Sequence, residues 1–106
     1  MKGGWVYIMT NKPDGVIYVG VAADIVQRVA QHRARAGSKF CRKYNLRRLV
    51  LAEHYPTIDE AIAREKAMKE WHRDWKVQLI EGENPEWRDL AVSFGFEPVR
   101  DEDGVA

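Results

Sequence analysis

Two short runs of β-branched and aromatic residues stand near the start of the chain, at 6–9 and 16–19. The positions between them are rich in Asn, Pro, Asp and Gly. This pattern predicts a β-hairpin, because turn-forming residues separate two segments with strand composition. If the turn centres between residues 12 and 13, Tyr7 and Tyr18 lie directly opposite each other on one face of the sheet.

A first helix is predicted over 24–36. Asp24 is placed to cap it, with Gln27 at the third helical position, and apolar residues recur along one side of the segment. Gly37 is expected to end the helix. Residues 37–45 are then predicted to form a basic loop.

The rest of the chain predicts one more strand and two more helices. Residues 48–55 have strand composition, and Thr57 with Glu60 forms a capping box for a second helix over 58–72. A third helix is predicted over 74–81. Asn84, followed by a proline, predicts the N-cap of a short helical turn.

These elements predict an α/β fold of the α+β type. Its three-stranded, mixed or antiparallel sheet is flanked by helices, in the order β-β-α-β-α-α. At 106 residues the chain fits one domain. We expect that domain to span 1–92, and we expect 93–106 to form an acidic, loose tail.

Composition narrows the class of protein further. No apolar stretch approaches the roughly 20 residues that span a bilayer, so we expect a cytoplasmic protein with no membrane partner. Cys41 is the single cysteine, which excludes an internal disulfide.

The net charge of +1 conceals a strong segregation of charge. Between residues 28 and 48 there are eight basic residues and no acid, whereas acids dominate from residue 81 onward. A basic face suits phosphate binding, although a solvated helix face and loop would explain the same run. The candidate nucleic-acid contacts are Arg28, Arg35, Lys39, Arg42 and Lys43.

The tyrosine pair and the first helix hold the first candidate chemistry. A free phenol ionises near pH 10, so it acts as a base at neutral pH only beside positive charge. Arg28, His32 and Arg35 recur at i, i+4 and i+7 and could supply that charge from one helix side. Packing of two tyrosines across a hairpin remains the alternative.

Glu65 is the second candidate. It falls among the apolar positions of the predicted second helix, where a carboxylate costs free energy unless it is paired or binds a cation. A single carboxylate with water ligands suits Mg²⁺. An i, i+4 ion pair with Lys69 would satisfy it equally well.

The order and spacing of these residues resemble the GIY-YIG nuclease superfamily, in particular its small stand-alone bacterial members. The likeness runs from about Trp5 to Leu90. Trp5 and Val6 replace the first motif's glycine and isoleucine, and Val21 stands where many members have a basic residue. The residues that carry the likeness are Trp5-Val6-Tyr7, Tyr18-Val19-Gly20, Arg28, the loop Gly37-Ser38-Lys39-Phe40, Glu65 and Asn84-Pro85-Glu86-Trp87.

The resemblance implies an endonuclease with one divalent metal, Mg²⁺ or Mn²⁺, held by Glu65. It implies that Arg28 grips the scissile phosphate of DNA and that a tyrosine positions or deprotonates a water. His32 and Asn84 match positions that assist. Family enzymes usually carry a separate targeting domain, so an accessory protein could supply targeting here.

Three functions follow from these observations. The first is a metal-dependent DNA endonuclease that uses the tyrosine pair and Glu65. The second is a non-catalytic nucleic-acid-binding module. The third is a protein-interaction adaptor whose basic loop docks on an acidic partner.

Overall fold

A computed structural model describes residues 3–99 and confirms the α+β fold. Three antiparallel strands form one sheet in the order β2-β1-β3. Two short helices that were not predicted, α2 and a 3-10 helix, are added to the predicted elements. The elements are β1 (Gly4–Thr10), β2 (Ile17–Ala22), α1 (Ile25–Arg33), α2 (Lys39–Tyr44), β3 (Arg48–Tyr55), α3 (Ile58–Lys69), α4 (Arg73–Glu83) and the 3-10 helix (Leu90–Phe94).

The hairpin forms, but its register differs from the prediction. Tyr7 pairs with Gly20, and Tyr18 pairs with Met9. The turn therefore centres one residue later than predicted, and Asp14 takes a left-handed conformation in it (φ 58°). A register shift of two residues leaves side chains on the same face, so the two tyrosines are diagonal neighbours rather than opposed partners.

The first helix begins as predicted and ends early. The Asp24 side chain caps it by accepting a hydrogen bond from the Gln27 backbone N–H. The helix stops at Arg33 rather than at 36, because Arg35 adopts a left-handed conformation (φ 60°) that an α-helix cannot continue through.

Part of the predicted basic loop is helical. The Ser38 hydroxyl caps α2 by accepting from the Cys41 N–H, and Asn45 ends it in the left-handed conformation. At six residues α2 is too short to show a helical period in the sequence. The loop prediction was wrong for 39–44.

The second half of the chain follows the prediction closely. β3 has the predicted bounds, and the Thr57 hydroxyl accepts from the Glu60 N–H at the start of α3. α3 ends at Lys69, three residues before the predicted end, and α4 contains the predicted third helix. Asn84 is the C-cap of α4 rather than an N-cap.

Each face of the sheet carries its own core. The face under α3 and α4, here called the apolar face, is lined by buried Val6, Ile8, Val19 and Leu51. The face under α1, α2 and the 3-10 helix, here called the tyrosine face, carries buried Tyr7, Met9 and Leu49. Because side chains alternate along a strand, neighbouring residues of β1 serve the two faces in turn.

The segment predicted as a loose tail lies only partly within the described residues. Phe94 and Phe96 pack against the core of the tyrosine face, and Val99 is buried with its N–H donated to the Asp89 carboxylate. Residues 100–106 lie outside the described range. Among residues 3–99, no helix has the length and apolar character needed to cross a bilayer.

Candidate active site

Tyr7 lies at the centre of the tyrosine face. Its side chain is fully buried, and its hydroxyl shares a hydrogen bond of 3.1 Å with Nε2 of His32 on α1. Arg28, one helical turn before His32, lies close enough to that hydroxyl for its charge to lower the pKa of Tyr7. The structure therefore brings together Tyr7, Arg28 and His32, three of the predicted site residues.

Burial decides the protonation of this group. Burial, reinforced by the neighbouring Tyr18, raises the pKa of Tyr7, and Arg28 offsets only part of the rise. Burial and then the charge of Arg28 lower the pKa of His32 to about 4. At neutral pH the site therefore contains a protonated Tyr7 phenol and a neutral imidazole beside a cationic guanidinium.

Two glycines make room for these rings. A Cβ on Gly20 would lie 2.5 Å from Cζ and from the hydroxyl oxygen of Tyr7. The Tyr7 ring therefore passes over β2 at Gly20, the last residue of the Tyr18-Val19-Gly20 motif. A Cβ on Gly37 would lie 2.5 Å from Nδ1 of His32. Both contacts are too close for any larger residue without movement of the ring.

Tyr18 stands where the site opens to solvent, on β2 at the edge of the sheet. It is partly exposed, and its ring centre lies 6.3 Å from that of Tyr7 and 6.0 Å from that of His32. Phe40 of α2 stacks on it at 6.2 Å. These residues border a cleft of about 290 Å³ lined by Ile17, Tyr18, Val19, Phe40, Lys69 and Lys76.

Glu65 forms an ion pair with Lys69, which lines the cleft. The Glu65 side chain is 13% exposed, and its Oε2 lies 2.8 Å from Nζ of Lys69, so the i, i+4 pair considered from the sequence is present. The hydrogen bond to Glu65 raises the pKa of Lys69. The same Nζ lies 5.7 Å from the centre of the Tyr18 ring. The ion pair therefore borders the cleft instead of pointing away from it.

The donor set around Glu65 fits an ion that keeps most of its waters. Among residues 3–99, no group of three or more His, Cys, Asp or Glu side chains is close enough to hold a metal. Zn²⁺ usually takes three or four protein ligands, so this site does not suit it. Mg²⁺ commonly takes one or two carboxylates, with water and substrate phosphate completing its shell. Glu65 suits that chemistry once Lys69 yields its oxygen.

The Asn84 side chain is engaged in hydrogen bonds with the backbone. Its Nδ2 donates to the carbonyls of Val50 and Arg88, and its Oδ1 accepts from the Arg88 N–H. These bonds use both of its donor hydrogens and explain its burial. All of its described side-chain bonds join α4 to β3 and to the segment before the 3-10 helix.

Three of the predicted phosphate-binding residues lie on α2, whose Phe40 lines the cleft, and are here called the basic rim. Lys39, Arg42 and Lys43 are exposed on α2, the helix whose Phe40 stacks on Tyr18. Arg35 does not continue the line of Arg28 and His32, since α1 has ended before it and its guanidinium donates to the Arg42 carbonyl.

Two contributions to the site were missed from the sequence. Gly37 was interpreted as a helix stop, but it is the residue that packs on the His32 ring. Lys69 was considered only as a partner for Glu65, and its approach to Tyr18 depends on how α3 crosses the sheet. Neither contact can be predicted from the spacing of residues along the sequence.

Comparison with known proteins shows which family the chain resembles. Residues 3–78 match the GIY-YIG catalytic domain. UPF0213 proteins of Staphylococcus saprophyticus and Staphylococcus aureus are each 36% identical over 80 residues, which is 76% of this chain and 96% of the relative. The solution NMR structure of the UPF0213 protein BH0048 from Bacillus halodurans is 31% identical, covers 80% of this chain and 92% of its own, and gives a TM-score of 0.50.

GIY-YIG domains are generally endonucleases, which gives this chain a nuclease-type domain. The matched segment contains both tyrosines, Arg28, His32 and Glu65. On the family match and on two relatives that are aligned over nearly their whole length, the chain belongs to the GIY-YIG family.

Proposed function

We propose that the chain is a metal-dependent endonuclease that hydrolyses phosphodiester bonds of DNA. The observation that carries this proposal is that two groups of side chains both have members next to Tyr18, which lines the cleft. One group is Tyr7, His32 and Arg28 on the tyrosine face, and the other is Glu65 with Lys69 on α3. Tyr18 neighbours both groups, since its ring centre lies 6.0 Å from that of His32 and 5.7 Å from Nζ of Lys69.

Tyr18 is the phenol that we assign to the reacting water. It is partly exposed at the cleft, whereas Tyr7 is fully buried and its raised pKa keeps it protonated. In our proposal Tyr18 orients or deprotonates the water that attacks phosphorus. Lys69, whose Nζ lies 5.7 Å from the centre of the Tyr18 ring, places positive charge beside this phenol.

Tyr7 and His32 are proposed as positioning residues. Their hydrogen bond is shielded from water, and it fixes the ring of His32 against Tyr18. A neutral His32 can accept the Tyr7 hydroxyl hydrogen without adding a second cation beside Arg28. Asn84 is proposed to act at a distance, by holding the end of α4 against β3.

Arg28 and the basic rim are proposed to bind the substrate. Arg28 is partly exposed, and its fork suits a phosphate whose charge grows during in-line attack. The DNA backbone would be held beside the cleft by Lys39, Arg42 and Lys43 on α2. Arg35 would add a further contact to the DNA backbone. Glu65 would hold Mg²⁺ or Mn²⁺, which when bound supplies Lewis-acid stabilisation of the developing charge.

We further propose that residues 1–92 act as one catalytic domain in the cytoplasm. The basic rim lies on a single short helix, so the proposed contact with DNA is small. An accessory protein that supplies targeting would compensate for a contact of that size.

The test is cleavage of supercoiled plasmid and of labelled branched, nicked and single-stranded DNA, with Mg²⁺, Mn²⁺ or chelator. Glu65→Ala is compared with Glu70→Ala, which removes an exposed carboxylate at the end of the same helix. We expect cutting by wild type and Glu70→Ala, and none with Glu65→Ala or chelator. Equal cutting by Glu65→Ala would refute the metal mechanism.

The ion pair of Glu65 with Lys69 also favours a second function, a nucleic-acid-binding module without turnover. A carboxylate that is permanently neutralised by a lysine needs no metal. In that case no variant cuts any substrate, and salt-sensitive binding of DNA survives Glu65→Ala unchanged.

A further inference from the structure

Lys69 occupies the carboxylate that a divalent ion would need. Its Nζ lies 2.8 Å from Oε2 of Glu65, and among residues 3–99 no group of three or more His, Cys, Asp or Glu side chains could hold a metal. The carboxylate proposed to hold the ion is therefore already partnered by a positive charge. Binding the ion requires either loss of the lysine contact or two cations on one carboxylate.

The lysine is well placed to leave. Its side chain is 48% exposed, while that of Glu65 is 13% exposed. A pair whose lysine is nearly half exposed is weakened by water, so a divalent ion can displace the ammonium group. The largely buried carboxylate would then stay in place while the lysine moves.

A displaced Lys69 has a second partner within reach. Its Nζ already lies 5.7 Å from the centre of the Tyr18 ring, and its side chain lines the cleft with Phe40. Movement from Glu65 toward the cleft would bring the ammonium group to the place where a substrate phosphate would lie beside Tyr18.

We propose that Lys69 is a built-in counter-ion of Glu65, which weakens divalent-cation binding in the free protein and moves into the cleft when the cation binds. The proposal rests on the function proposed above, because it takes Glu65 as the metal ligand. It adds a residue that sets the cation affinity of the site.

The variants separate this role from general electrostatics. Lys69→Gln removes the charge and leaves a side chain of similar length, and Lys69→Arg keeps the charge. Lys76→Gln removes a positive charge from the lining of the same cleft. Glu65→Gln removes the proposed ligand. Thermal unfolding of each variant shows whether it is folded.

The measurement is the binding of Mn²⁺ in the absence of nucleic acid. The electron paramagnetic resonance signal of the free ion reports how much Mn²⁺ remains unbound. We expect Lys69→Gln to bind Mn²⁺ about tenfold more tightly than wild type, because a unit charge within a few ångströms of the ion is removed. Lys69→Arg should stay within about twofold of wild type, as should Lys76→Gln, whose charge is not on the carboxylate.

Three results would overturn the proposal. If Glu65-dependent binding is equally tight in wild type and Lys69→Gln, the counter-ion role is wrong while the metal site stands. If Lys76→Gln tightens binding as much as Lys69→Gln, the effect is general charge and not the ion pair. If no variant, including Lys69→Gln, binds Mn²⁺ through Glu65, both this inference and the proposed metal mechanism fail.

Discussion

The two faces of one small sheet differ in what they bury. On the apolar face, Val6, Ile8 and Leu51 pack against α3 and α4 through side chains without polar atoms. On the tyrosine face, Tyr7 and His32 bring a hydroxyl and an imidazole into the interior. The same strands supply both faces, because successive residues of a strand point in opposite directions.

This difference shows where stability and chemistry are separated in the molecule. Buried polar groups cost free energy unless they are hydrogen-bonded, and Nδ1 of His32 has no such partner within the described part of the chain. The tyrosine face therefore gives up some packing energy to hold a polar cluster beside the cleft. The apolar side chains buried on both faces offset this cost.

The largest expected effect is on catalysis, at the tyrosine face. Arg28→Ala removes the guanidinium whose charge acts on Tyr7, and we expect the cleavage rate to fall roughly a hundred- to a thousandfold. Arg88→Ala is the control, since its exposed side chain pairs with Glu86. Single-turnover cleavage of a labelled DNA checks both variants. Equal cleavage rates for the two would contradict the proposed role of Arg28.

The next effect is on stability, at the apolar face. Ile8→Ala truncates a fully buried side chain, and we expect a loss of about 3 to 4 kcal/mol in the free energy of unfolding. Tyr7→Phe, one residue away on the other face, keeps the ring and should cost only about 1 kcal/mol. Urea denaturation measures both. Equal losses in the free energy of unfolding would contradict the described difference between the two faces.

Acid should weaken the tyrosine face specifically. The pKa of His32 is about 4 in the folded protein against an ordinary value of 6.5, so the unfolded chain binds a proton more readily between these two pH values. Stability should therefore fall as the pH drops from about 6.5 to 4, by roughly 2 to 3 kcal/mol. His32→Gln should flatten this dependence, and exposed His72→Gln should not. Denaturant midpoints across this pH range decide.

The smallest expected effect comes from adding a single methyl group to Gly37, which packs on the ring of His32. Gly37→Ala places a Cβ against Nδ1, so the ring must shift, at a cost of about 1 kcal/mol and a several-fold loss of cleavage rate. Gly82→Ala is the matched control, because nothing lies within 4 Å of its added Cβ. In a helix that change should be neutral or stabilising. Unaltered cleavage by Gly37→Ala would show that the His32 position is unimportant.

The sequence predicted the elements with strong local signals. β3 and the capped starts of α1 and α3 were correct, because strand composition and a capping side chain act over a few residues. The hairpin was predicted, but its register was not. The turn geometry depends on a left-handed Asp14, and composition alone does not locate such a residue within a run of turn formers.

The site was predictable only in part, for a related reason. Helical spacing placed Arg28 and His32 on one side of α1, and the structure brings both to Tyr7. Arg35 fits the same spacing but lies beyond the end of the helix. The packing of Gly37 on His32 and of Phe40 on Tyr18 joins separate elements, so no period within one segment reveals it.

The central claim is that Tyr18, at the mouth of the tyrosine face, acts on the reacting water. The most direct test is the single-turnover cleavage rate of Tyr18→Phe against Tyr55→Phe, with Mg²⁺. Tyr55 is a suitable control, because its hydroxyl donates to Glu53 and the residue packs with the apolar core. We predict a loss of at least about a hundredfold for Tyr18→Phe and almost none for Tyr55→Phe. Cleavage by Tyr18→Phe at the wild-type rate would contradict the account.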